Sequence, residues 1–349
     1  MPSYLPTLLA ALALPVVQLV HGQLFTVNCQ PLTIQRADPI IFPGVISPHV
    51  HAVIGGTAFQ QTMSTTTAPD ATDTTCDKKL DKSNYWQPQL YHLRNDGWFD
   101  LVTFQGSAVY YLNRACDYAP GLTTCPTNFN STAPPAGLRM VVGSPTLRTF
   151  NASSFSQLAI QHVCLRENDS PNFNSLPPMA CLRLRSETFF PSCWDGVNLD
   201  SSDHSSHMAF PAFGDYNGGV CPQSHPVAIY SVFYEFYYDT SPFTDYQNLV
   251  YAMGDPTGYG LHGDFLNGWS DQNALAQAVN TCQGPEGAYA TTCSVNVCPL
   301  PSSSSSKPHV PIVPAPAENV GLTGPIAALP GNNPITGTFV KARSSKFRT

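Results

Sequence analysis

Short apolar and β-branched runs, each broken within a few positions by Gly, Pro or Asn, fill the chain between Gln23 and Cys298. Segments 87–93, 99–104, 108–112 and 138–142 read as strands on this pattern, and 227–238, with its Val, Ile, Phe and Tyr, reads as a central strand. Helical spacing is rare. It is clearest at 271–279, where Leu275 and Val279 lie four apart and Asp271 stands at the position of an N-cap. Many short strands joined by Pro/Gly turns predict a mainly β fold: a single-domain β-sandwich or jelly-roll-like core with long disulfide-pinned loops and few short helices.

Composition divides the chain into three parts. An apolar run at 5–20, followed by Val20-His21-Gly22, reads as a signal peptide over 1–22, although no Lys or Arg precedes it. Residues 23–298 have globular composition. From Pro299 the chain turns to Pro and Ser, so 299–349 reads as a disordered tail. It closes on Lys341, Arg343, Lys346 and Arg348, which suit either a solvated end or adhesion to an acidic wall polymer. The segment 310–328 is too interrupted for a membrane span or a lipid-anchor tail.

All eleven cysteines fall after the leader, and in an exported chain they imply disulfides. Cys116–Cys125, Cys164–Cys181 and Cys193–Cys221 are the expected local closures, and the odd count leaves one thiol over. Asn130, Asn151 and Asn168 head glycosylation sequons. Only 11% of residues are charged and the net charge is −7, with no basic patch for nucleic acid. This surface suits a neutral partner, and outside a cell that means polysaccharide or glycan. The sequence leaves the oligomeric state open.

Candidate chemistry concentrates in a few clusters. His49-Val50-His51 and His262-Gly263-Asp264 each place two groups on one face of an extended strand. His204 and His207 would be neighbours in a helical turn, with Asp203 beside them. Drawn together, His49, His51, His204, His207, His262 and Asp264 would supply the ligands of a divalent metal, Zn or Cu. Asp203, His204, His262 and Asp264 are the candidate catalytic groups. Lys82, Tyr85, Trp86, Trp194, Tyr259 and Trp269 are the candidate substrate contacts, with the aromatics acting as sugar platforms. Each cluster has an ordinary alternative: core packing, an Asp cap, or a loop whose polar groups satisfy backbone. No Gly-x-Ser-x-Gly elbow and no Walker or Rossmann glycine loop is present.

Four stretches, 38–59 with its HVH and GG, 81–91 (DKSNYWQPQLY), 193–211 (CWDGVNLDSSDHSSH onward) and 254–269 (GDPTGYGLHGDFLNGW), resemble in order the motifs of a family of secreted fungal proteins catalogued as DUF1996. The resemblance covers 38–282. It implies a fungal origin, secretion to a cell surface or wall and one domain, and it supplies no mechanism.

Two functions of different kinds fit. One is a secreted carbohydrate-active protein, a metal-assisted hydrolase or lyase on wall polysaccharide. The other is a non-catalytic wall-binding or structural protein with no cofactor. A copper oxidase-like protein would need an N-terminal histidine, whereas the expected mature end is Gln23.

Overall fold

Two antiparallel sheets face each other across the main core. The computed structural model describes residues 23–126, 131–282, 292–296 and 318–341. The first sheet has six strands in the spatial order Gln23–Cys29, Phe104–Leu112, Ser231–Asp239, Arg183–Phe189, Ile160–Leu165 and Asn172–Phe173. The second has five: Pro31–Gln35, His51–Gly55, Asn84–Pro88, His262–Leu266 and Arg139–Gly143. The aromatic run expected at 227–238 is indeed a central strand of the first sheet, over Ser231–Asp239.

Strand alternation assigns each side chain to a face. Phe25, Val109, Tyr234 and Phe236 of the first sheet meet Ala52, Ile54, Tyr85, Met140 and Phe265 of the second in one core. Val53, Trp86 and Leu266 turn to the other face of the five-stranded sheet. There they form a second core with Leu32, Ala37, Ile40, Phe59, Met63 and Ala68, supplied largely by the segment after residue 35. The three central strands of the five-stranded sheet are therefore buried on both faces.

Gly263 sets the distance between the sheets. A Cβ at this position would meet the Tyr234 hydroxyl at 2.2 Å and Thr188 Cγ2 at 2.5 Å. The Tyr234 hydroxyl donates to the Trp86 carbonyl at 2.7 Å, tying the sheets together at that point. Because Gly263 faces the first sheet, its neighbours His262 and Asp264 face the second core.

The helix expected at 271–279 spans Gln272–Thr281, and the Asp271 side chain caps it by accepting the Ala274 N–H. The other helical pieces, Phe155–Leu158 and Tyr246–Asn248, are single turns. All three expected local disulfides form, and Cys29–Cys76 and Cys282–Cys293 add two more. Cys298, the odd cysteine, and Asn130 lie outside the described residues. So do residues 1–22, 297–317 and 342–349. Among the described residues no helix is long and apolar enough to cross a membrane.

Part of the segment expected to be a tail packs on the body. Val320, Ile326 and Leu329 join Val50, Tyr91, Phe99, Val250 and Ala252 in a third core. Glu318 takes both of its hydrogen bonds from Arg36 Nη1, at 3.0 and 3.1 Å. Tyr91 donates to the Val320 carbonyl, and Ile326 exchanges backbone bonds with Phe99. Composition alone misses this strap because its apolar residues are few, and what holds them is a groove made by distant strands. Leu329→Ala is expected to lower unfolding free energy by about 2–4 kcal/mol, the range for truncating a buried leucine. A urea melt unchanged within 0.5 kcal/mol (roughly the surface-substitution range) would show that the strap contributes nothing to stability.

Candidate metal centre

His51 opens its strand, and His49 stands two residues earlier in the bend that leads into it. His262 opens a second strand of the same sheet. His51 pairs with Pro88 on one side of the Asn84–Pro88 strand, and Asp264 pairs with Trp86 from the other side. One strand therefore separates the two histidine-bearing strands, and the imidazoles converge over it. Their ligand nitrogens all lie within 4.8 Å of one another, the single such group among the described residues. Ring centroids are 4.4 Å apart for His49/His51, 5.0 Å for His49/His262 and 5.9 Å for His51/His262.

Backbone carbonyls orient two of the rings. His51 Nδ1 contacts the Ala37 carbonyl at 3.0 Å, and His262 Nδ1 contacts the Gly260 carbonyl at 2.9 Å. A carbonyl only accepts, so both Nδ1 atoms carry the proton and both Nε2 atoms present lone pairs to the centre. His51 Nε2 has no hydrogen-bond partner. His49 Nε2 lies 3.1 Å from His262 Nε2. Two nitrogens about 2.0–2.1 Å from one tetrahedral zinc stand about 3.3 Å apart, so this spacing is close to that of metal ligands.

The loop before His262 is built for this purpose by Asp255, a fully buried carboxylate. It accepts from the Thr257 N–H, the Thr257 hydroxyl and the Gly260 N–H at 2.6–2.8 Å, with Arg148 at 3.6 Å. This loop fixes the carbonyl that orients His262.

Burial keeps the imidazoles neutral. Desolvation lowers His51 to about 3 and His262 to about 4, and it pushes His49 well below the usual histidine range, helped by His51, His262 and Arg36. A metal binds that neutral form. Asp264 lies on the same face two residues from His262. It is fully buried, and neither carboxylate oxygen has a hydrogen-bond partner. Desolvation, then the Asp38 charge, drives its carboxyl well above the normal range. Asp38 is raised by burial as well, against the pull of the Ile41 and Ile40 N–H groups, His204 and the Trp86 indole. The indole Nε1 approaches without reaching hydrogen-bond geometry with any acceptor.

The remaining expectations divide. His204 and His207 do not join the centre. They lie in a turn rather than a helix, where His207 contacts Ser201 Oγ and the Arg139 carbonyl and His204 contacts Asp200 at 2.8 Å. Asp203 lies in the same turn, outside the centre. It is exposed and accepts from the N–H groups of Ser206 and Ser205 and from the Ser201 hydroxyl, which hold its pKa well below the usual carboxylate range. Tyr85, Trp86 and Trp269 are core rather than sugar platforms. All three are buried, and Trp269 Nε1 and Tyr85 both hydrogen-bond the Tyr111 hydroxyl. Tyr259, stacked on Phe150, and Trp194, bonded to the Asn198 carbonyl, are half-buried, as is Lys82. Sequence reasoning missed Asp38 and the orienting role of Asp255. Both are aspartates in the motif stretches, and burial alone distinguishes them from solvated ones.

The chain belongs to the family described as a domain of unknown function, DUF1996, which matches residues 38–269 and so includes every residue of the centre. No curated protein and no solved structure matches the chain.

Asp81 supports a pH prediction. It is fully buried, accepts from the Ser83 N–H and the Tyr85 hydroxyl, and burial raises it to about 6. The folded state then holds a proton that the unfolded chain releases near pH 4. Stability from this group is present below pH 4 and is lost as pH rises towards 6, by about 3 kcal/mol. Urea unfolding at pH 4 to 7 is expected to show a smaller fall in Asp81→Asn than in the natural protein, by about this amount. Parallel curves would refute it.

Proposed function

We propose that the protein binds one divalent transition metal, Zn or Cu, through Nε2 of His49, His51 and His262, with Asp264 as the acidic partner. The convergence of three buried imidazoles, two of them turned inward by backbone carbonyls, carries this reading. A buried lone pair without a donor, at His51 Nε2, and a buried carboxylate without partners, at Asp264, are costly alone, and a cation answers both. A metal in this setting acidifies a bound water or polarises a substrate oxygen.

We further propose that the centre serves a secreted carbohydrate-active protein, a metal-assisted hydrolase or lyase on wall polysaccharide. Five disulfides suit an oxidising compartment, and the low charge suits a neutral polymer. One observation favours the alternative of a glycan-binding or structural wall protein. His49 and His262 are only 5% and 4% exposed, and His51 is fully buried, so the metal would also serve as an internal clamp.

Elemental analysis of protein purified without an affinity tag tests the metal. About one Zn or Cu per chain is expected, by the ligand count of a single site. His51→Ala and His262→Ala should lose it, and His204→Ala should keep it. Chains that remain metal-free after Zn and Cu are offered would defeat the proposal. Reducing ends released from wall polysaccharide, and abolished by chelation, separate the enzyme from the binder.

A further inference from the structure

The strap touches both limbs of the three-histidine pocket. One limb is the bend 47–49, which carries His49. Asn333 Nδ2 donates to the Pro48 carbonyl at 2.8 Å. Gly331, at φ +82°, lies so close to that carbonyl that a Cβ there would meet it at 2.2 Å. Arg36 Nε donates to the Ser47 carbonyl at 2.6 Å, while its Nη1 is held by Glu318 of the strap at 3.0 Å.

The other limb is the loop 254–260, which orients His262. The Thr336 N–H donates to the Gly254 carbonyl at 2.9 Å, and a Cβ on Gly254 would meet the Pro334 carbonyl at 2.0 Å. Arg148 completes the tie. Its Nε donates to the Thr336 carbonyl at 2.8 Å and to the Thr336 hydroxyl at 3.0 Å, and it stands 3.6 Å from Asp255. Its Nη2 reaches the Met253 carbonyl at 3.4 Å. Residues 331–337 thus run from one limb to the other. They lie outside 38–269, the span that matches the family.

His49 is the ligand that needs such a tie. The carbonyls of Ala37 and Gly260 hold the rings of His51 and His262 from behind. Among the described residues the His49 ring has one hydrogen-bond contact, the 3.1 Å approach to His262 Nε2. Its position therefore comes from its backbone, and the carbonyls of 47–48 are fastened by Arg36 and the strap. His49 and His262 are almost fully buried, so an ion reaches the pocket only if a limb moves.

We propose that the strap is the latch of this pocket: it fastens the His49 bend to the His262 loop, and its release is the step that lets an ion enter or leave. The role in metal exchange rests on the reading of the three histidines as a metal site. The latch opens locally rather than by global unfolding. Gly331, Thr336 and Gly337 are exposed, and bonds on an exposed segment open at lower cost than those of buried strands.

Two readouts on the full chain separate the latch from the metal. The first is carbethoxylation of histidines in metal-free protein by diethyl pyrocarbonate, followed by peptide mass spectrometry. The second is the rate at which zinc-loaded protein yields its ion to excess EDTA. Asn333→Ala removes two bonds, to the carbonyls of Pro48 and Pro330. Gly331→Ala drives a methyl group into the Pro48 carbonyl. Gly121→Ala is the control: it brings the same positive-φ strain, at φ +80°, where a Cβ meets nothing within 4 Å. In the natural protein His49 should label far more slowly than the partly exposed His204 and His225. Asn333→Ala and Gly331→Ala should each label His49 and release zinc about tenfold faster, the factor for about one lost hydrogen bond. Gly121→Ala should match the natural protein, and His162, fully buried on the six-stranded sheet, should stay unlabelled throughout. Unchanged labelling of His49 in both strap variants would overturn the latch. So would label gained equally at His162, or labelling of His49 as fast as His204 in the natural protein. A chain that takes up no zinc defeats the metal reading alone, because the labelling still decides whether the strap closes the pocket.

Discussion

The five-stranded sheet is packed on both sides, and the rest of the structure follows from this. One face meets the six-stranded sheet at the distance that Gly263 and Tyr234 permit. The other lies beneath the segment that supplies Ala37, Ile40, Phe59 and Met63. The sheet's three central strands have no water-facing side, so every polar side chain on them needs an internal partner. Some have one: Asn84 Nδ2 donates to the Gly56 carbonyl and the Tyr85 hydroxyl bonds that of Tyr111. His51 Nε2 and both oxygens of Asp264 do not, and neither do Asn84 Oδ1, Trp86 Nε1 and Gln87 Oε1. Burying these atoms without partners would cost several kcal/mol, and the grouping of the first three at one place gives the site its chemical meaning.

The same packing explains the neutrality of the imidazoles. A protonated histidine would bring its charge into a dry layer beside two others, so the folded protein maintains free bases at ordinary pH. Three neutral imidazoles, two of them with Nε2 lone pairs turned inward by backbone carbonyls, form a receptor for a Lewis acid. Burial drives the carboxyls of Asp264 and Asp38 upward, towards their neutral forms, in the absence of a cation. The strap at 318–341 lies against the same end of the sheet. Asn333 donates to the carbonyl of Pro48, next to His49, and Thr336 bonds Gly254 at the start of the loop that orients His262.

The six-stranded sheet has the opposite character on its outer face. Arg185, Tyr110 and Tyr237 are only partly covered, and the acid pair between them, Glu187 and Glu235, is buried by side chains rather than by another layer. Glu235 accepts from the hydroxyls of Tyr110 and Tyr237, whereas burial raises Glu187 against the pull of Arg185. The three histidines lie between layers, whereas this acid pair lies on a sheet.

The sequence by itself determined the β class, the capped helix after Asp271, the three local disulfides and the pairs His49/His51 and His262/Asp264. These are local properties, fixed by strand period, capping chemistry and short loop closure. Which clusters meet was decided only by the tertiary structure. The order of strands in the five-stranded sheet brings residue 262 to residues 49 and 51 and leaves His204 and His207 in a turn of their own. Burial decided the rest. Tyr85, Trp86 and Trp269 look like sugar platforms in the sequence because aromatic residues serve cores and surfaces equally well, and nothing local says which face will be covered. The pairing of Glu187 with Glu235 was invisible for the same reason, since register between strands 48 residues apart is set by the sheet, not by either strand alone.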